Sequence, residues 1–203
     1  YSPPIHGASK VGDFIRSSEK LKEEFDCVFI KIRSSDTIAD IGKISLKKIY
    51  FMLVIFSKVL FSMLVFRPDK IYFTASVRGA AFYRDLLLSV TWKFYRLFAG
   101  CEVFYHYHTK GIKSFVVNNR NKILTKYFLK DVNLILLSQM LEDDFEYVKT
   151  YKKVFYLPNG VGNNYDEKSF DYYLSKKDFS KPNVLFLSHM MREKGCFESI
   201  ELA

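Results

Sequence analysis

Two hydrophobic periods alternate along the chain. Short runs with β-type character occupy residues 26–32 (D-C-V-F-I-K-I), 70–74 (K-I-Y-F-T), 101–105, 133–137 and 153–157. Longer stretches with helical spacing occupy residues 8–24, 41–66, 79–98, 119–130 and 139–149. Strand and helix alternating this often predict an α/β fold: a Rossmann-like parallel sheet with right-handed crossovers and helices on both faces. Leu134-Ile135-Leu136-Leu137 is apolar at every position, the pattern of a strand buried on both faces. Between residues 162 and 181 the period gives way to a polar stretch that reads as an interdomain connection. The expected organisation is therefore a Rossmann-like domain over residues 1–161, a linker over 162–181, and the start of a second domain over 182–203, opened by an apolar strand at 183–188.

The turn Pro3-Pro4-Ile5-His6-Gly7 runs directly into the first helical stretch. In a doubly wound sheet such a turn follows a central strand. That strand is expected upstream of Tyr1, so the pattern predicts a chain clipped at its start; the alternative is a sheet that begins with the helix.

Residues 49–66 are apolar almost all round and reach the lower length limit of a membrane-crossing helix, about 17–20 residues. Lys58 sits at their centre, where a midplane ammonium costs roughly 2.5–3.5 kcal/mol. Arg67-Pro68-Asp69 then leads into a strand. A buried crossover helix is favoured over an interfacial helix, and both over a span. Lys47, Lys48 and Lys58 with Tyr50 and Phe51 could still bring one edge to a bilayer. In Trp92-Lys93-Phe94-Tyr95-Arg96-Leu97-Phe98 aromatic and basic residues interleave at a helix end. This pattern suits headgroup level, and equally an ordinary amphipathic helix with snorkelling cations.

Composition narrows the class. Across 203 residues, 49% hydrophobic and 17% aromatic content is ample for a packed core and argues against wholesale disorder. The formal charge of +9 calls for a polyanionic neighbour or a basic solvated surface. The cations are spread singly among Phe, Tyr and Leu, which fits a membrane surface better than a nucleic-acid arm, so no nucleic-acid partner is expected. Cys27, Cys101 and Cys196 are too widely spaced for a metal pair and form no disulfide framework. Cys27 and Cys101 start apolar runs and read as buried free thiols, consistent with a reducing, cytoplasmic compartment.

In open parallel sheets, chemistry sits in the loops after the carboxyl ends of the strands. Pro3-Pro4-Ile5-His6-Gly7-Ala8-Ser9 offers small residues before a helix N-terminus, a setting that favours anionic oxygens; Ser9 could simply cap the helix. His106-Tyr107-His108-Thr109-Lys110-Gly111 is the densest polar cluster in the chain. One H-x-H pair supplies two ligands where zinc takes three or four partners, so no metal is expected there. Gln139 reads as a first-turn residue. Asn159-Gly160 is a turn signal on local grounds. Arg192-Glu193-Lys194-Gly195 places two cations at a helix start, unfavourable unless an anion binds there.

The order of these segments resembles a GT-B glycosyltransferase of the family-four kind: the small-residue loop, H-x-H-x-K-G, Pro158-Asn159-Gly160-Val161, and Glu193-Lys194-Gly195 after the apolar run 183–188. The resemblance implies a retaining transfer of a sugar from a nucleotide-diphosphate donor to a glycan or lipid-linked acceptor in surface polysaccharide synthesis. It usually involves no metal cofactor. It places His108 and His106 beside the donor sugar, Gly7, Lys194, Arg192, Asn159 and Gly160 on the donor and its phosphates, and His6 and Lys110 toward the acceptor. Ser188-His189 stands where the family has a G-R tip, which leaves Arg192 to take that charge or the donor to be held differently. The donor carboxylates of the family lie beyond residue 203, so this chain alone is expected to be inactive. The location implied is cytoplasmic, peripheral at the inner membrane face. The competing expectation is a non-catalytic basic, aromatic module that docks on a membrane or a protein.

Overall fold

The computed structural model describes residues 7–32, 46–160, 167–178, 180 and 196–201. The chain separates into two units, Tyr1–Gly160 and Val161–Ala203.

In the first unit, β1 (Lys70–Thr74), β2 (Glu102–Tyr107), β3 (Asn133–Leu136) and β4 (Val154–Tyr156) form one sheet in the order β1-β2-β3-β4, every pair parallel. The helices are α1 (Gly7–Ser17), α2 (Glu19–Glu24), α3 (Leu46–Phe66), α4 (Gly79–Tyr95), α5 (Ile112–Phe115) and α6 (Asn119–Leu129), with a 3-10 segment over Gln139–Val148. This is an α/β, Rossmann-like parallel sheet with helices around it.

Parallel strands added in sequence order, with crossovers of one hand, bring successive crossover helices to the same face. Accordingly Phe73, Val103, Tyr105, Tyr107, Leu134 and Leu136 point to one buried face. On it Trp92 of α4 meets Phe73 and Tyr105 with ring centroids 5.0 and 6.2 Å apart, Phe128 of α6 stacks on Tyr105 at 4.5 Å, and Phe145 meets Tyr107 at 5.0 Å. The indole N–H of Trp92 donates to the Tyr105 hydroxyl at 2.9 Å, which satisfies a polar pair in an otherwise apolar layer. The other face carries Tyr72, Phe104, Ile135 and Phe155, all half-buried or exposed.

Local chemistry sets the boundaries. Ser18 ends α1 in an extended conformation and caps α2, its hydroxyl accepting the Leu21 N–H at 3.3 Å, so the expected helix 8–24 is two helices. Asn118 caps α6 by accepting from the Arg120 N–H at 2.9 Å. Arg67 and Asp131, at φ 50° and 63°, stop α3 and α6 just before β1 and β3 in the left-handed conformation common after helices.

Residues 26–32, expected as a strand, carry no strand pairing among the described residues; Ile30 and Ile32 instead pack against the core. Their apolar pattern is met by side-chain packing rather than by a ladder. Residues 139–149, expected as an α-helix, form the 3-10 segment. Phe145 and Val148, three apart, are both buried, as a three-residue turn places them on one side.

Helix α3 buries Ile55, Val59 and Met63 and packs along α4. Tyr50, Leu53, Phe61, Leu64 and Val65 remain exposed, as does Lys58. Among the described residues no helix is long and apolar enough to cross a membrane. Cys101 is buried with its thiol pushed up to about 11 by burial; Cys27 is half-buried.

The second unit contributes α7 (Glu167–Ser175) and α8 (Cys196–Glu201). Helix α7 falls in the stretch read as irregular. Phe170, Tyr173 and Leu174 carry an i, i+3, i+4 signal that the polar composition around them hides. The expected strand at 183–188 lies outside the described residues.

The sole tryptophan reports on the α4–sheet contact. Its emission should be blue-shifted in the folded protein and move red in urea as the layer opens. Tyr105→Phe, which removes the acceptor of a buried indole N–H, should lower the unfolding free energy by about 1–3 kcal/mol in that assay.

Candidate functional site

The carboxyl ends of the four strands open into residues 75–78, 108–111, 137–138 and 157–160. Two buried carboxylates fix the first two of these loops. Asp85 on α4 is fully buried and accepts the Ser76 backbone N–H at 2.8 Å. Its other oxygen takes two bonds from the Arg84 guanidinium, at 2.8 and 2.6 Å. Burial nevertheless holds the Asp85 carboxyl above its usual range, with the Arg84 charge opposing.

Asp144, in the 3-10 segment, accepts three backbone N–H bonds: from Gly111 and Ile112 at 2.8 Å on one oxygen and from Lys113 at 2.9 Å on the other. These are the orphan donors at the start of α5. A helix start is an anion site, and here a side chain of the chain itself fills it. The loop is pinned from the other side by Gly111, at φ 146°, where a Cβ would come within 3.0 Å of Val77 Cγ2. A side chain at Gly111 would strain the backbone and crowd Val77.

Between these anchors lies the H-x-H pair. His106, at the end of β2, is 1% exposed. Its Nδ1 lies 2.5 Å from the Tyr72 hydroxyl on the neighbouring strand β1. Burial, and secondarily the neighbouring His108, pulls the His106 pKa down to about 4, while burial pushes Tyr72 up to about 12. The imidazole is neutral and the phenol keeps its proton, so the two share one hydrogen across this contact; where Tyr72 donates, Nδ1 accepts and the ring proton lies on Nε2. That Nε2 is buried and has no hydrogen-bond partner among the described residues. A buried donor of this kind is satisfied when a water or a ligand oxygen reaches it. The His108 ring lies 4.0 Å from that of His106, tilted by 39°. At neutral pH, His106 is thus uncharged.

The fold brings His106 and His108 into contact and leaves Lys110 exposed in the same loop. Asn159 and Gly160 follow β4, two strands along, about 10 Å at the usual strand spacing. They are exposed, and Gly160 adopts no left-handed backbone; a Cβ there meets open space. The expected turn at Asn159-Gly160 would end on Val161, outside the described residues; before it, Leu157 N–H is still bonded to the Leu136 carbonyl. Gly7 is the first residue of α1, so Ser9 lies inside that helix and not at its cap. Gln139 opens the 3-10 segment and is exposed. His6, Arg192 and Lys194 lie outside the described residues.

Sequence reasoning missed Tyr72, Asp85 and Asp144. Asp85 had a signal: it interrupts the buried stripe Phe82, Leu88, Trp92 of α4, a place where a carboxylate needs a partner. Asp144 had none, since its partners lie more than thirty residues away. A separate open surface groove is lined by residues that include Lys22, Phe25, Cys27 and Phe29, none of them from the strand exits. No group of three or more His, Cys, Asp or Glu placed to hold a metal ion occurs among the described residues. No protein-family model, curated protein or solved structure shows a significant match to the chain.

Two outcomes test this geometry. Asp144→Ala strips three backbone N–H groups, among them that of the buried Ile112, of their acceptor and should cost about 1–3 kcal/mol in urea unfolding. The His106 pKa is depressed on folding, so the unfolded chain takes up its proton first. The His106 contribution to stability is full above about pH 6.5 and is lost as pH falls towards 4, by about 1–3 kcal/mol. Paired urea melts at pH 7 and pH 5 should show this loss shrinking in His106→Gln.

Proposed function

We propose that the protein serves sugar transfer from a nucleotide-diphosphate donor to a glycan or lipid-linked acceptor, as a retaining glycosyltransferase of the GT-B kind. The observation that carries the reading is the H-x-H loop, seated at the carboxyl ends of a parallel Rossmann-like sheet and braced by two buried carboxylates. This is where open α/β sheets bind ligands, and bracing of this kind is what a positioned polar site requires.

In this reading His106 offers its Nε2–H to a hydroxyl of the donor sugar, with Tyr72 holding the tautomer. His108 flanks the sugar, and Lys110 reaches towards the acceptor. Asp144 occupies the helix start beside them, so the diphosphate is held elsewhere; Arg192 and Lys194 are the cations assigned to it. Asn159 and Gly160 border the donor from β4, Gly7 at the start of α1 is assigned to the donor, and His6 to the acceptor. A departing diphosphate develops charge as the glycosidic bond breaks, which cations of this kind stabilise.

Calorimetric titration of the full-length protein with UDP- and GDP-sugars tests the reading. Binding of one nucleotide sugar is expected, weakened about tenfold or more by Lys194→Ala and by His106→Ala, each variant keeping its secondary structure by circular dichroism. Absence of binding for every nucleotide sugar, with the protein folded, would reject the reading in favour of a non-catalytic docking module.

A further inference from the structure

The edge of the sheet opposite the candidate site, where the strands begin, is basic. The four segments entering the strands, residues 67–69, 96–101, 130–132 and 149–153, carry Arg67, Arg96, Lys130, Lys149, Lys152 and Lys153 against Asp69 and Asp131. Parallel pairing brings all four together: Glu102 N–H bonds to the Asp69 carbonyl, Asp131 N–H to the Thr150 carbonyl, and Lys152 N–H to the Val132 carbonyl. All six cations but the half-buried Arg96 are exposed.

Two bulky apolar residues stand within this charge. Leu97 and Phe98, in the turn after α4, are 75% and 76% exposed. Phe94, one turn earlier, is exposed and meets Phe98 at 5.1 Å between ring centroids. The cations beside them are held at the base of the turn: Lys93 Nζ donates to the Lys130 carbonyl at 3.1 Å and Arg96 to the Asp131 carbonyl at 3.0 Å. Burial and the charges of Arg96 and Lys130, against Asp131, bring Lys93 down to about 8, a sign of how closely the cations are gathered. Helix α3 also ends at this edge, with Phe61, Leu64 and Val65 each more than 60% exposed.

We propose that this edge docks on an anionic lipid bilayer, with Leu97 and Phe98 entering the headgroup–acyl boundary and the cations of the four strand-entry segments resting on lipid phosphates. Apolar side chains at the tip with cations around them match the layering of a bilayer surface, where apolar burial and attraction to anionic lipid add together. A nucleic acid would engage the cations and leave Leu97 and Phe98 in water. The inference concerns a surface remote from the strand exits and does not rest on the sugar-transfer reading.

Co-sedimentation with vesicles tests it, comparing phosphatidylcholine alone with phosphatidylcholine containing 30% phosphatidylglycerol (roughly the regime of anionic membrane surfaces). Binding is expected with the anionic vesicles, weaker by about tenfold or more with the neutral ones and at high salt. Leu97→Ser/Phe98→Ser and Lys152→Glu/Lys153→Glu should each reduce it about tenfold or more. All four side chains are exposed, and the ladder bonds of Lys152 and Lys153 are made by the backbone, so thermal melts should stay unchanged. No binding to anionic vesicles, equal binding by the Leu97/Phe98 variant, or equal binding to neutral vesicles would overturn the proposal. Retention on duplex DNA that matches the vesicle affinity and ignores the Leu97/Phe98 change would also overturn it. None of these outcomes depends on nucleotide-sugar binding.

Discussion

The carboxylate of Asp144 is the contact on which the candidate site depends. It is 6% exposed and accepts three backbone N–H groups from a segment more than thirty residues earlier in the chain. Without it the start of α5 would bury orphan donors, and the loop from His108 to Gly111 would lose its anchor. The same requirement explains the long 3-10 segment, which has to deliver Asp144 to α5 while burying Phe145 and Val148. Asp85 does the equivalent work for the loop after β1. Two side chains thus fix the loops on either side of the histidine pair.

Much of the fold was legible because burial on a sheet imposes a period. The run K-I-Y-F-T became β1 over the residues expected, and β2, β3 and β4 fell within two residues of their expected bounds. Helix α3 ends at Phe66, where the apolar run stops. What the sequence concealed were interactions across distance. The run at 26–32 has strand-like alternation, yet a strand exists only where a partner completes its ladder. Asp144 looks like one acid in an E-D-D surface run until the fold places it against α5. Of the candidate site, the histidine pair was visible as a cluster, whereas Tyr72, the hydrogen-bond partner of His106, sits 34 residues away on another strand.

Charge shows the same limit. Along the chain the cations are scattered one or two at a time, with no basic block. Parallel topology gathers the entry segments of all four strands on one edge, so separate Lys and Arg residues become a single basic surface around Leu97 and Phe98. The Trp92–Phe98 stretch divides accordingly: Trp92 is buried against Tyr105, Lys93 and Arg96 hold neighbouring carbonyls, and the last two residues project. The two edges of the sheet differ in kind, one polar, braced and bearing the histidines, the other basic and apolar.

The central proposal is chemical: Tyr72 donates to Nδ1 of a neutral His106, whose Nε2–H is then left to meet an oxygen. Long-range ¹H–¹⁵N NMR of the histidine rings at pH 6, with and without a nucleotide sugar, tests it most directly. The account predicts a neutral His106 with its proton on Nε2, and a change confined to that nitrogen when ligand is added. An imidazolium at pH 6, or a proton on Nδ1, would contradict it.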